Sequence, residues 1–274
     1  MCAAVLALCA SLTVACDLDS QREQQLQRLL DAHRFFSYRG TLLHEQNGQR
    51  EFVTVLHEPD ESVDAMRRLN ASAAAPMIQI MAKPSYSVAS CTLAQHYSVD
   101  FEPGAAVAGR ATTAVTLKPK DVLRLAYLMN MDVETGLPLR VIAFTAEGQI
   151  LERYEFAEIK LKPAEQDAIS PPTDPIASGY AFASLPPGFV LLAASQQDGP
   201  HVVSDGLATA SLFVEPLPEL LTPGEGASLS GATLTYTRGM TMNGVGYLVT
   251  VIGEIPVNTA RLLADAIRPR RDAS

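Results

Sequence analysis

The chain of 274 residues has no tryptophan, and only 6% of it is aromatic. Charge is also scarce, with 19% Asp, Glu, Lys and Arg and a net charge of −9. No block of Lys and Arg appears, which excludes the electrostatic footprint of a nucleic-acid-binding protein. After the N-terminus there is no apolar run of the roughly 20 residues needed to span a bilayer, which excludes a polytopic membrane protein. The five histidines, His33, His44, His57, His96 and His201, are scattered without metal-ligand spacing. What the chain does have is apolar residues, at 47%. That is too many for a disordered chain and enough for one large folded unit or two ordinary ones.

Residues 1–16 read MCAAVLALCASLTVAC, and the first charge is Asp17. The stretch is short for a membrane span and suits a signal segment. Its end, Leu12-Thr13-Val14-Ala15-Cys16, resembles a bacterial lipobox, so Cys16 is a lipidation candidate that would anchor the mature protein. Ordinary cleavage after Ala15 is the alternative, and a Cys16–Cys91 disulfide then becomes available in an oxidising compartment. For Cys91, in the stretch Ser87–Leu93, burial tendencies favour a buried strand thiol.

Ser20-Gln21-Arg22-Glu23 fits a capping box, and Leu26, Leu29, Leu30 and His33 follow at helical spacing, predicting a helix over 20–34. Asn47-Gly48 between two β-prone runs predicts a hairpin with Glu45 opposite Arg50, Leu43 opposite Phe52 and Leu42 opposite Val53. Residues 59–75 read as polar loop. Strands are predicted near 77–81, 87–93, 97–101, 111–117, 122–131, 138–145 and 149–161, with a small-residue loop from Gly104 to Gly109. The proline-rich run 160–175 reads as a linker. Beyond it, strands are predicted near 188–194, 201–204, 208–216, 232–240 and 246–253. A final helix over 256–267 would carry Val257, Ala260, Ala264 and Ile267 on one face.

Catalytic motifs are scarce. His57-Glu58 is not followed by the second His of a zinc motif, and Gly239–Gly246 lacks the Lys-Ser/Thr of a phosphate-binding loop. Ser204-Asp205-Gly206 reads as a turn rather than a nucleophile elbow. Glu152 and Glu155 read as ordinary strand residues. The chain therefore reads as a binding protein rather than an enzyme, with no cofactor and no metal. Methionine stands out instead, at positions 66, 77, 81, 129 and 131 of the first half. Leu125, Tyr127, Met129 and Met131 fall on one strand face by period two. Flexible, polarizable Met suits irregular acyl chains, although a plain sheet core using Met explains the pattern as well. With Leu42, Val53 and Val55 as neighbours, these residues are the lipid-pocket candidates.

Several stretches carry a family resemblance. They are Tyr38-Arg39-Gly40-Thr41 leading into the hairpin, Leu117-Lys118-Pro119-Lys120-Asp121, Asp132 to Arg140, and Gly148 to Glu152. Later come Leu185-Pro186-Pro187-Gly188-Phe189, Ser204-Asp205-Gly206-Leu207-Ala208, Phe213 to Pro216, and Val249 to Pro256. In this order and spacing they resemble the MucB/RseB family of periplasmic sigma-factor regulators, from about residue 20 to 267. The resemblance implies a mostly β (α+β) protein of two domains. Residues 17–160 would form a large curved antiparallel half-barrel with covering helices, similar to the lipoprotein carriers LolA and LolB. Residues 161–176 would be a linker and a hinge. Residues 177–270 would form a small antiparallel sheet with a C-terminal helix that grips the periplasmic part of an anti-sigma factor.

The implied function is negative regulation of an extracytoplasmic stress response. The protein would shield the anti-sigma factor from proteolysis and release it when lipid, lipopolysaccharide or lipoprotein acyl chains fill the pocket. Homo-oligomers are compatible with this reading. The alternative is a periplasmic lipoprotein or lipid carrier on the same fold. The acidic surface would suit a partner segment bearing Lys or Arg, through on-rate more than affinity.

Overall fold

The computed structural model describes residues 16–59, 63–69, 78–82, 88–164, 180–193, 200–218, 222–242 and 244–269. Chain order begins with α1 (Ser20–Asp31), a 3-10 turn (Ala32–Arg34), β1 (Phe36–Gln46), β2 (Gln49–His57), β3 (Val63–Arg68), β4 (Ile78–Ala82) and α2 (Ser90–His96). It continues with β5 (Tyr97–Val107), β6 (Arg110–Pro119), β7 (Ala126–Asp132), β8 (Pro138–Phe144) and β9 (Ile150–Pro163). These nine strands form one open antiparallel sheet in the order β4-β3-β2-β1-β9-β8-β7-β6-β5. The second block holds β10 (Tyr180–Phe182), β11 (Val190–Ala193), β12 (His201–Ser204), β13 (Thr209–Pro216), β14 (Glu225–Ser230), β15 (Thr233–Met242), β16 (Val245–Gly253), α3 (Val257–Ala266) and β17 (Ile267–Pro269). Six of these strands form a sheet ordered β11-β12-β13-β16-β15-β14, and β10 pairs with β17. The fold is mostly β, as the sequence predicts.

The hairpin register is the predicted one. Glu45 pairs with Arg50, Leu43 with Phe52 and Leu42 with Val53. Asn47 and Gly48 both take positive φ, which suits the twist of a two-residue hairpin turn. Alternation along β2 buries Val53, Val55 and His57 and leaves Phe52 and Leu56 exposed. In the second block, the same alternation places Val203, Leu212, Tyr236, Val249 and Val251 against Ala260, Leu263 and Ala264 of α3.

Several local predictions differ from the structure. The first helix is capped by Asp19 rather than Ser20, because the Asp19 carboxylate reaches the backbone N–H groups of Gln21 and Arg22. The helix ends at Asp31 and tightens into the 3-10 turn. The loop predicted over 59–75 contains β3, which β2 recruits by pairing Val55 with Met66 and Leu56 with Ala65. The strand predicted over 122–131 starts only at Ala126. Before it, the Asp121 side chain holds a turn by accepting from the Leu123 N–H. The loop predicted from Gly104 to Gly109 is largely strand, since β5 runs to Val107. On α3, Val257 is exposed and Leu263 takes its place in the core, while Ile267 is buried after leaving the helix. The predicted linker overlaps the end of β9 at Pro163. Residues 165–179, with most of that linker, lie outside the described residues.

The largest correction concerns Cys91. The stretch predicted as a strand over 87–93 becomes α2, and Cys91 is bonded to Cys16. A sulfur held in a disulfide carries no thioether, so neither the lipid anchor nor the free strand thiol describes this structure. Tertiary contacts override the β propensity. The Ser90 N–H donates to the Gln27 side chain of α1, and Gln27 donates to the Val88 carbonyl.

Two turns dock the second block on the first. In one, between β12 and β13, Oδ1 of Asp205 accepts from the backbone N–H groups of Leu207 and Ala208. Its Oδ2 accepts from Arg124 Nε at 2.8 Å and from the Tyr97 hydroxyl at 3.3 Å. Both charged side chains are fully buried. Arg124 also donates to Asp121 and to the Pro187 carbonyl, and lies 5.2 Å from the Phe189 ring centre. Nearby, Thr259 of α3 donates to the Leu123 carbonyl at 2.5 Å. Gly206, at φ +99°, packs so closely on Val88 that a Cβ would lie 2.6 Å from its side chain.

Two stability measurements test this frame. The disulfide closes a sequence separation of 75 residues. Chain-entropy arguments assign such a loop about 4.5 kcal/mol. The Cys16→Ser protein, or the reduced wild type, should therefore unfold at lower urea; an unchanged midpoint would show that the bridge adds nothing. Asp205→Ala leaves Arg124 buried without its acidic partner in the turn and should cost about 3–5 kcal/mol. In urea melts, replacing both Arg124 and Asp205 with apolar residues should cost much less than the single change.

Candidate functional site

The structure places the lipid-pocket candidates in two buried groups. Tyr127, Met129 and Met131 lie on one face of β7, and Leu125 immediately precedes the strand. These four residues pack with Leu26 and Leu29 of α1, Leu93 of α2, and Val115 and Leu117 of β6. Met131 is 2% and Met129 8% exposed, so the two helices cover this face. Leu42, Val53 and Val55 belong to a separate cluster with Ala32, Met66, Leu139 and Phe156. Strands β9 and β8 stand between β1 and β7 in the sheet, which explains the division. Met77 lies outside the described residues; Met81 falls in β4.

The buried face of β7 contains one polar anomaly. The Tyr127 hydroxyl has no hydrogen-bond partner among the described residues. Burial pushes its ionisation well above the usual phenol range, helped by the carboxylates of Glu254, Asp205 and Glu152. On the opposite face of β1 and β2, a groove of about 240 Å³ is lined by Arg39, Thr41, Thr54, Leu69, Glu158 and Lys160. Its charged rim does not match an acyl chain. At the other end of the sheet, Cys16, Glu23 and Cys91 converge within 4.8 Å, but both sulfurs are committed to the disulfide.

The second docking turn builds a polar cluster of a different kind. Glu152 of β9 is 5% exposed. One of its oxygens accepts from the Ala232 backbone N–H of the second block at 2.9 Å. The other lies 2.6 Å from His44 Nε2 and 2.7 Å from the Tyr154 hydroxyl. The His44 and Tyr154 rings stack at 4.5 Å, and His44 Nδ1 lies 3.4 Å from Glu51. Ala232 packs with the core of the first block rather than that of its own sheet. Gly231, at φ +59°, makes this approach feasible, since a Cβ there would lie 2.8 Å from Gln46 and 2.9 Å from Glu152.

Burial alone would neutralise this cluster, but its hydrogen bonds oppose that. Desolvation works to raise the Glu152 carboxyl, yet donors from His44, Ala232 and Tyr154 hold it below the usual carboxylate value. Desolvation works to lower His44, yet Glu152 and Glu51 together raise it above the ordinary imidazole value. Glu254, just after β16, is pushed up to about 7, first by burial and then by the charge of Glu152.

These junction residues were hard to find in the sequence. Glu152 reads there as an ordinary strand carboxylate, whereas the structure makes it the bridge between blocks. Glu155 does stay a strand residue, paired with Arg140 and Arg153. Asp205 sits in the turn predicted at Ser204-Asp205-Gly206, and only the chain around it shows that the turn is buried. Arg124, Ala232 and Glu254 carry no local signal.

Comparison with known proteins agrees with this architecture. Residues 69–174 match the model of the MucB/RseB N-terminal domain, and residues 174–268 match that of the MucB/RseB C-terminal domain. The chain is 28% identical to the sigma factor AlgU regulatory protein MucB of Pseudomonas aeruginosa, over 90% of this chain and 91% of that protein. It is 26% identical to the sigma-E factor regulatory protein RseB of Haemophilus influenzae, over 60% of this chain and 57% of that protein. Among solved structures, the Pseudomonas aeruginosa MucA/MucB complex matches with a TM-score of 0.71 at 26% identity, covering 92% of this chain and all of the solved one. A structure of MucB in complex with MucA(peri) matches at a TM-score of 0.65 and 27% identity, with the same coverage of both chains. With both domain models matched in order across most of its length, the chain belongs to the MucB/RseB family.

Proposed function

We propose that the protein is a periplasmic, non-enzymatic negative regulator of an extracytoplasmic sigma factor, and that it acts by binding the periplasmic part of an anti-sigma factor and shielding it from proteolysis. The observation that carries this reading is the likeness, over nine-tenths of the chain, to MucB as solved with MucA. Among the described residues no helix is long and apolar enough to cross a membrane. The region from 177 to 270 is the proposed grip on the partner.

Acyl chains are the proposed signal, with the covered face of β7 as their site. The candidates there are Leu125, Tyr127, Met129 and Met131, which lie under α1 and α2. An acyl chain can reach them only if the helices move, so lipid would favour a conformation in which this lid is displaced. A ligand releases the partner only by binding one conformation better than the other. The second block also packs against this cluster through Ala232 and Leu207, so lid movement and block placement share one core.

Two experiments test the reading. Purified mature protein should capture the periplasmic segment of an anti-sigma factor encoded by the same organism; no binding at micromolar concentration would sink the proposal. Met129→Thr removes apolar contact at the centre of the β7 face, worth about 1–2 kcal/mol, or about tenfold in affinity. It should weaken binding of a fluorescent fatty acid by that factor and leave partner capture unchanged. Unaltered fatty-acid binding would reject β7 as the lipid site. Acyl binding without any partner would favour the lipid-carrier alternative.

A further inference from the structure

The Glu152 cluster joins the two blocks through a carboxylate, an imidazole and a backbone donor. Its geometry sets out how the junction holds. The Ala232 N–H donates to the Glu152 carboxylate across the junction. His44 of β1 and Tyr154 of β9 support the other carboxylate oxygen. Glu51 of β2 approaches the far side of the His44 ring and is itself paired with Arg68 of β3 at 2.7 Å. From the second block comes Glu254, whose carboxyl is raised by burial and by the charge of Glu152, and which in turn helps to raise Tyr154 and Tyr127.

We propose that this junction is a proton-operated latch: protons on His44 and Glu254 keep the Gly231–Ala232 turn seated on Glu152, and their loss at alkaline pH unseats it. With both protons in place, His44, Glu152 and Glu254 together carry no net charge. With both lost, they carry two negative charges in a poorly solvated space, where like charges repel strongly.

The direction of the pH dependence follows from linkage. His44 is raised above 6.5 in the folded protein, so its contribution is complete at lower pH and is lost as pH rises through that raised value. Glu254 is raised from 4.5 to about 7, so the folded form holds a proton that the unfolded form releases earlier. Its contribution therefore falls as pH climbs over that interval and stays low above it. Glu152 is lowered and remains ionised throughout, so it keeps accepting from the turn. The two titrations act in the same direction, and the junction is tightest in mild acid. The inference concerns the junction itself and holds whatever the partner.

Amide hydrogen exchange on the full mature protein reads the latch directly. After correction for intrinsic rates, protection of the turn at Gly231 and Ala232 should fall at least about tenfold between about pH 5.5 and about pH 8.5. Glu254→Gln cannot ionise and should restore part of the protection at the alkaline end. His44→Gln should lower protection at the acid end and flatten the profile. Equal protection of the wild-type turn at both pH values would overturn the proposal, and so would a wild-type profile in both variants. Should a variant fail to fold, X-ray scattering of the wild type decides: a radius of gyration that grows from acid to alkaline pH supports the latch, and a constant one refutes it.

Discussion

The arrangement of the molecule depends on one buried ion pair. Asp205 and Arg124 are both removed from water, and each is the other's fully buried charge partner. Asp205 meets this demand from a turn of the second block, and Arg124 meets it from the segment that leads into β7. The pair therefore constrains more than its own surroundings. It joins the segment before β7 to the turn between β12 and β13, and the Phe189 ring lies beside the guanidinium. Such a contact confers specificity of placement more than net stability, because the cost of dehydrating two ions offsets much of their attraction.

The second docking contact is of a different physical kind. Glu152 receives one backbone donor from the other block, and its partner His44 is raised above the ordinary imidazole value. One contact is a buried ion pair, and the other is marginal enough to respond to conditions. Both lie against the core that contains Tyr127, Met129 and Met131. A change at the covered face of β7, at α1 and α2, or at the junction is thus a change in one packed cluster, and packed clusters shift between discrete arrangements rather than deforming smoothly.

Much of the fold was legible from local rules. The Asn47-Gly48 turn set the β1–β2 register residue by residue, because a two-residue turn leaves no slack. Period-two alternation placed Leu42, Val53 and Val55, and likewise Tyr127, Met129 and Met131, on buried faces. It could not tell that these are two clusters, since the strand order that separates them is a long-range property. Where local propensity and tertiary contact disagreed, contact prevailed. The stretch around Cys91 coils into α2 because Cys16 and Gln27 hold it there. Likewise β3 forms because β2 offers it an edge.

By itself, the sequence determined a β-rich chain with an apolar N-terminal run and membership of a family whose motifs run in order through both halves. Those properties are local or compositional: alternation, turn chemistry and the spacing of short stretches. Only the tertiary structure decided that Cys16 ends in a disulfide, that Glu152 and Asp205 join the blocks, and that the methionine face lies beneath two helices. Each of these depends on residues far apart in the chain, and a side chain's charge, reactivity and accessibility are set by the neighbours that folding brings to it.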